Sequence, residues 1–463
     1  MSDIAFLMLP QVGHLNASFK LARSLKSRGH RIVYLGVPAN EEYVRARGFE
    51  FHPIFGNLFR QERAGGRRPK PSPHARLRSF LKGGEEGERF AQIVQRIQGE
   101  IDRANQQRPF ALFVVDSLLP FVALATYRRA IPTILLSTTF PTTRDRSVPP
   151  LVTTRSPADS VFSRSLILWS WYKYFFYRFL ARTSAALFGS LDMIREVRRL
   201  AREAGYPLAR IDEEATHVPS LCMPELVLCP KELDFPRPEK TWRRYIEASL
   251  DLDRGEELFP WEQLGTDKPL LYCSLGTQSH MASRRQTARF LRTVISTMTL
   301  KPDWQLVIAI GAHLRIGDFN PIPPNVVIVN QAPQLELLKR ASIMITHGGL
   351  NSIKECIYFG VPMIVFPLGK DQPGNAARVR YHGLGVLGKM RKVTIKYLNA
   401  LIEEVDGNPS FRARAELMGR KMREVEVSGI GVEIVEQFMA GGTDAGHDGR
   451  LRAYGGAVQE VRT

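Results

Sequence analysis

A short apolar run at residues 341–346 (ASIMIT) ends in His347-Gly348-Gly349, and from Leu350 the apolar spacing becomes helical. This junction constrains the chain more than any other feature. A strand that turns directly into a helix is the building unit of parallel α/β sheets, and here the turn carries two residues without a Cβ. A ligand can approach such a backbone closely. The helix start aims its unbonded N–H groups and positive dipole end at the same point, so the junction has the form of a phosphate cradle. Asn351 and Ser352 fall in the first turn and can add donors to an anion. Glu355 lies one turn beyond Asn351 on the same face, where a carboxylate can accept two ribose hydroxyls. A second apolar run, residues 361–366 (VPMIVF), leads to a loop with Asp371-Gln372, acceptors suited to sugar hydroxyls. Each piece alone has a plainer reading: Ser352-x-x-Glu355 also fits a capping box, and the Gly-Gly junction also fits a tight βα turn.

The amino-terminal part has the same grammar. Residues 4–9 (IAFLML) read as a buried strand, followed by a loop with Gly13-His14, a helical pattern that stops at Gly29, and a strand at 31–35. This is a β–loop–α–β unit, the opening of a doubly wound sheet. Gly13 belongs to no G-x-G-x-x-G fingerprint, which argues against a dehydrogenase. Ligands on such sheets gather beyond the carboxyl ends of the strands, and His14 sits in the first such loop. An imidazole titrates in the range a general base needs. The strand at 110–115 ends in Asp116, a carboxylate able to orient that imidazole. Spacing alone leaves open that His14 and Asp116 merely cap the helices that follow them. Farther on, residues 270–274 (LLYCS) run into Leu275-Gly276-Thr277, a second strand–glycine turn whose plain reading is again a βα connection.

Read together, H-G-G-x-N-S-x-x-E at 347–355, G-V-P at 360–362 and D-Q-x-x-N-A at 371–376 resemble the donor-binding signature of family 1, UDP-dependent glycosyltransferases. The resemblance implies the GT-B fold, two doubly wound Rossmann-like α/β domains facing across a cleft. It also implies that His347, Gly349, Asn351 and Ser352 hold the diphosphate, with Gly276 and Thr277 beside it. Glu355 then holds the ribose and Asp371-Gln372 the sugar. Relatives carry an aromatic before A-P-Q to stack on uracil; here Gln331 stands before Ala332-Pro333-Gln334, so Gln331 and Gln334 border the nucleoside and the base preference is open. G-H near the amino terminus and V-D-S a hundred residues later match the His–Asp dyad of inverting members, which assigns catalysis to His14 and Asp116.

The chain divides into an acceptor and base domain (1–235), a polar, proline-bearing linker (236–265), a nucleotide-sugar domain (266–440) whose last helix crosses back onto the first, and a disordered tail (441–463). Residues 60–84, rich in Arg, Pro and Gly, read as a solvated loop. Residues 166–182 hold eight aromatics between Trp169 and Phe179. A buried helical core, the wall of an acceptor pocket and an interfacial membrane patch all fit them, in that order. Arg378 and Arg380, on the helix after Asn375, read as solvated.

With 463 residues there is chain enough for two such domains. The net charge of +18 comes without any nucleic-acid-binding signature, so no nucleic-acid partner is expected. Four scattered cysteines without metal spacing suit a reducing compartment. No secretory signal or uninterrupted membrane span is visible, so a cytoplasmic location is expected, with possible peripheral membrane contact. The expected reaction is inverting transfer of a hexose, glucose first, from a UDP-sugar co-substrate to a hydroxyl of a lipophilic small molecule. No metal and no bound cofactor is expected. A silent nucleotide-sugar binder and a sugar-nucleotide epimerase are the alternatives.

Overall fold

The computed structural model describes residues 1–54, 85–158, 160–188, 191–255, 258–276 and 283–441. The basic stretch 60–84 and the tail beyond 441 lie outside the described residues. Of these, β1 (Asp3–Leu7), β2 (Arg31–Gly36), β3 (Glu50–Pro53), β4 (Leu112–Asp116), β5 (Thr133–Ser137), β8 (Glu225–Val227) and β9 (Arg243–Tyr245) form one parallel sheet. Its order is β3-β2-β1-β4-β5-β8-β9, and β6 (Ile211–Asp212) and β7 (Ser220–Leu221) pair separately. Helices α1 (Val12–Ser27), α2 (Glu41–Arg45), α3 (Glu85–Gln107), α4 (Pro120–Arg128), α5 (Val161–Phe188) and α6 (Met193–Ala204) belong to this domain.

The second sheet is also parallel, with order β12-β11-β10-β13-β14-β15. Its strands are β10 (Leu270–Ser274), β11 (Gln305–Ala309), β12 (Val326–Val329), β13 (Ala341–Thr346), β14 (Met363–Val365) and β15 (Gly385–Leu387). Around it lie α7 (Arg284–Thr297), α8 (Gln334–Leu338), α9 (Leu350–Tyr358), α10 (Gln372–Tyr381), α11 (Ile395–Asp406) and α12 (Ser410–Glu426). The expected two-domain α/β architecture is what the chain adopts.

Both sheets are covered on both faces, which is why their strands read as near-continuous apolar runs rather than alternating ones. In the first sheet Ile4, Phe6 and Val114 face one core while Ala5, Leu7 and Val115 face the other. More important for function is where the winding reverses. From β1 the chain moves outward through β2 and β3, then returns to β4 on the other side and continues to β5. The second sheet repeats this with β10 and β13. At such a switch point the loops leaving the two neighbouring strands diverge and open a crevice. At the ends of β1, β4, β10 and β13 stand His14 in the first turn of α1, Asp116 as the last residue of β4, and Gly276 and His347 in the turns after β10 and β13.

The domains are joined by more than chain. Helix α13 (Ile430–Ala440) returns to the first domain, where Val432, Val435 and Phe438 enter the same core as Phe19 and Leu25 of α1. Arg378, expected in solvent, is buried instead. Its guanidinium meets Asp234 (2.9 Å and 2.5 Å) between the rings of Phe140 and Phe235, 4.0 Å and 4.2 Å away. Burial lowers its pKa, and Asp234 opposes that. Arg380 is exposed, but it donates to Thr154 O (2.7 Å) rather than standing in water alone. The stretch 236–265, read as linker, also supplies β9, the seventh strand of the first sheet. A three-residue strand amid Pro, Lys and Arg has no apolar period to betray it.

Candidate functional site

His14 lies in the first turn of α1, whose N-cap is Gln11, so it does not cap the helix. Its Nδ1 is 2.7 Å from Asp116 Oδ2 and 2.8 Å from Thr138 Oγ1. Asp116 is fully buried at the end of β4 and also accepts the Leu118 and Leu9 N–H groups (3.0 Å and 3.3 Å). It does not cap α4, whose N-cap is Leu119. A carboxylate has no proton to give, so the short contact places the imidazole proton on Nδ1 and leaves Nε2 with a lone pair. Burial acts to lower the pKa of His14, but the Asp116 carboxylate outweighs it and holds the imidazole above its ordinary value of 6.5. The Asp371 and Lys370 charges of the second domain also reach this imidazole, and they reach His217 as well. His14 and Asp116 are therefore brought together, as a base and its orienting acid require.

In the second domain the polypeptide at 346–349 is built around the His347 ring. A Cβ on Gly276 would lie 2.5 Å from His347 Cε1, and one on Gly349 would lie 2.6 Å from Nε2. Gly276 and Gly348 have φ of +62° and +86°, a region that disfavours side chains. His347 is buried; burial pushes its pKa down to about 4, with Asp371 opposing, so at neutral pH the ring is uncharged. Its Nδ1 has no hydrogen-bond partner among the described residues. The N-cap of α9 is Gly349, with no side-chain cap. Ser352 and Glu355 thus both lie inside the helix, and the capping-box reading falls. A neutral donor beside the uncapped N-terminus of α9 is chemistry suited to an anion. Thr277 lies outside the described residues.

Asn351 donates from Nδ2 to the backbone oxygen of Gly13 (2.8 Å), tying the first turn of α9 to the residue before His14. Glu355 is already engaged. Arg254 donates to both its oxygens (2.5 Å and 3.2 Å), and Gln334 Nε2 donates to Oε2 (2.5 Å). Gln334 also contacts Ser352 Oγ (3.4 Å), while Gln331 is exposed at the rim. Asp371 and Gln372 differ in orientation. Asp371 accepts from Asn375 (2.9 Å) and keeps capacity to accept more. Gln372 is buried, and its side-chain oxygen accepts the Leu368 and Gly369 N–H groups (2.8 Å and 3.3 Å). The pair therefore does not present two acceptors side by side.

Sequence reasoning missed Thr138, Arg254 and Lys370. Thr138 directly follows β5, the neighbour of β4, and a polar residue at the carboxyl end of such a strand is a signal that could have found it. Arg254 stands in a polar stretch with no motif, and nothing local points from it to Glu355.

Residues 295–439 match the family model described as erythromycin biosynthesis protein CIII-like, C-terminal domain. The chain is 26% identical over 430 residues to an uncharacterized UDP-glucosyltransferase, YojK, of Bacillus subtilis, covering 91% of this chain and 94% of that one. It is 25% identical over 451 residues to the zeaxanthin glucosyltransferase of Pantoea ananas, covering 96% and 97%. Among solved structures, the glycotransferase of kitacinnamycin superposes with a TM-score of 0.67 at 23% identity, over 94% of this chain and 98% of that one.

Proposed function

We propose that the chain, whose sequence relatives are UDP-glycosyltransferases and whose fold is that of GT-B glycosyltransferases, acts as a family 1 glycosyltransferase and transfers a hexose from a nucleotide-diphosphate donor to a hydroxyl of a lipophilic small molecule, with inversion. The observation that carries the reading is the contact between Asn351 Nδ2 and Gly13 O, because it sets the start of the cradle helix against the residue preceding His14. In the proposed step His14 Nε2 takes the acceptor proton as that oxygen attacks the anomeric carbon, and Asp116 stabilises the imidazolium that forms. The diphosphate leaves with its added charge met by the N–H groups of α9 and by His347, so the step draws on no metal or cofactor. Asp371 is the residue proposed to orient the sugar, glucose being the first candidate. The relatives' names, a UDP-glucosyltransferase and a zeaxanthin glucosyltransferase, support a glucosyl donor and a small, lipophilic natural-product acceptor. All four cysteines are free thiols, in keeping with a cytoplasmic setting.

Incubating the protein with a nucleotide sugar and a panel of hydroxylated lipophilic acceptors, then reading the new glycosidic bond by NMR, tests this directly. A product of inverted anomeric configuration is expected. A sugar altered at a ring carbon without acceptor would move the chain to the epimerases, and donor binding without any product would make it a silent binder.

The geometry at Glu355 favours a second reading of the donor, in which the nucleoside is thymidine. A carboxylate accepts about four hydrogen bonds, and Arg254 and Gln334 already supply three. One position remains, which suits the single free sugar hydroxyl of dTDP better than the two of UDP. Arg254→Ala frees two positions and leaves the carboxylate in need of donors. By calorimetry the ratio of UDP to dTDP affinity is expected to rise about tenfold in this variant, the effect of about one added hydrogen bond. An unchanged ratio would remove Glu355 from nucleoside selection.

A further inference from the structure

Helix α5 presents two apolar faces, and the protein covers one. Ser163, Ile167, Ser170 and Trp171 turn inward and are buried, and Trp171 Nε1 donates to Val148 O (2.8 Å). The opposite stripe follows helical spacing of three and four residues. On it Phe162, Trp169, Tyr172, Phe176, Tyr177 and Phe179 are each more than half exposed. The expectation that this segment is buried core is thus corrected: only its inner stripe is. A contiguous aromatic surface of this kind on a soluble fold marks a binding face.

The charge around that stripe decides between occupants. Residues 161–188 contain Arg164, Lys173, Arg178 and Arg182 and no Asp or Glu; Arg182 pairs with Asp192 (2.9 Å) and Arg178 donates to Ala215 O (3.1 Å), while Lys173 stands over the exposed Tyr177 ring. At the side of the helix a groove of about 720 Å³ is lined by Trp169, Tyr174 and Tyr177 together with Arg155, Lys173 and Arg380, and by no acidic side chain. A second copy is a poor match. A two-fold interface sets the same patch against itself, and here that would oppose cations to cations with no carboxylate on the helix to pair them. An anionic bilayer supplies what the face lacks, an apolar interior for the rings and phosphates for the cations. Trp and Tyr seated among Lys and Arg are the composition of an interfacial helix. No helix among the described residues is long and apolar enough to cross a membrane, so α5 would lie along the surface rather than span it.

We propose that α5 is a docking face for anionic phospholipid membranes, its aromatic stripe seated at the headgroup boundary and the Arg155–Lys173–Arg380 groove receiving a phosphate headgroup. Flotation of the full chain with vesicles tests this, comparing mixed phosphatidylglycerol–phosphatidylcholine vesicles with pure phosphatidylcholine. The mixed vesicles are expected to carry on the order of tenfold more protein, a preference lost at high salt. Tyr172→Ser/Phe176→Ser/Phe179→Ser, all on the exposed stripe, is expected to abolish flotation while donor-nucleotide binding persists. Lys173→Glu is expected to erase the preference for the anionic lipid. Equal binding to both vesicles, no flotation, or flotation of the triple variant like the parent would each overturn the proposal. So would a parent dimer that the triple variant converts to a monomer, since the stripe would then be an interface between copies.

Discussion

Replacing His14 with alanine is expected to lower kcat by roughly 10²–10⁴-fold, the usual contribution of a positioned general base, with donor-nucleotide affinity unchanged. The variant removes the imidazole and leaves the glycine–His347 cradle of the other domain untouched. Asp116→Asn separates orientation from pH. As the proposed base, His14 works as the neutral imidazole, so the rate is expected to rise as pH rises through its pKa. Burial alone would place that pKa low, and the carboxylate of Asp116 lifts it above the ordinary 6.5. The acid limb of kcat/KM in the parent should therefore fall above about 6.5, and in Asp116→Asn it should move to lower pH because burial is then opposed only by the smaller effect of Asp371. The maximal rate should also drop, since an amide can donate to Nδ1 and place the proton on the wrong nitrogen. A lower rate with an unmoved limb would reduce Asp116 to a structural residue that satisfies Leu9 and Leu118. Full activity in His14→Ala would require another base.

Gly276→Ala is expected to weaken donor binding about a hundredfold, with the His14–Asp116 pair undisturbed. Its Cβ would sit 2.5 Å from His347, in a backbone conformation of φ +62° that side chains rarely adopt. On its other side the ring lies close over Gly349, where a Cβ would sit 2.6 Å from Nε2, so the fit there also depends on a bare backbone. Either the ring or the loop must shift, and a displacement of an ångström spoils the aim of preorganised donors. Gly99→Ala is the control: it lies in α3 with nothing within 4 Å of the added methyl, and the change should be neutral or slightly stabilising. Calorimetry with UDP and dTDP reads both. Parent-like affinity in Gly276→Ala would mean that His347 is free to move and that the cradle is not built around it.

The fold and the outline of the site were legible because each depends on neighbours in the chain. Apolar runs ended by glycine give strands and βα turns, and the spacing from His347 to Glu355 places those side chains on one helix start, whatever the rest of the molecule does. The same holds for the turn after β1 that leads into the first turn of α1 and His14. Three other features depended on partners far away in sequence. Arg378 reads as solvated because a lone guanidinium belongs in water; its burial is tolerable only beside Asp234, 144 residues earlier. Glu355 reads as an open acceptor until the fold delivers Arg254 from a polar connection 101 residues away. Helix α5 carries apolar side chains on both sides between its four cations, so its pattern could not say which stripe faces inward; Val148 decides that by accepting from Trp171 Nε1.

The residues at 14, 116, 276 and 347 were thus determined by local sequence to stand at the ends of strands. That His14 comes to Asp116, and Gly276 to His347, was decided by the order in which the strands lie. Periodicity reports the conformation of a segment, whereas strand order arises from the packing of all segments at once. Only that packing sets β1 beside β4 and β10 beside β13, so that each sheet opens a crevice at its switch point, and brings Asn351 against Gly13 between the two domains.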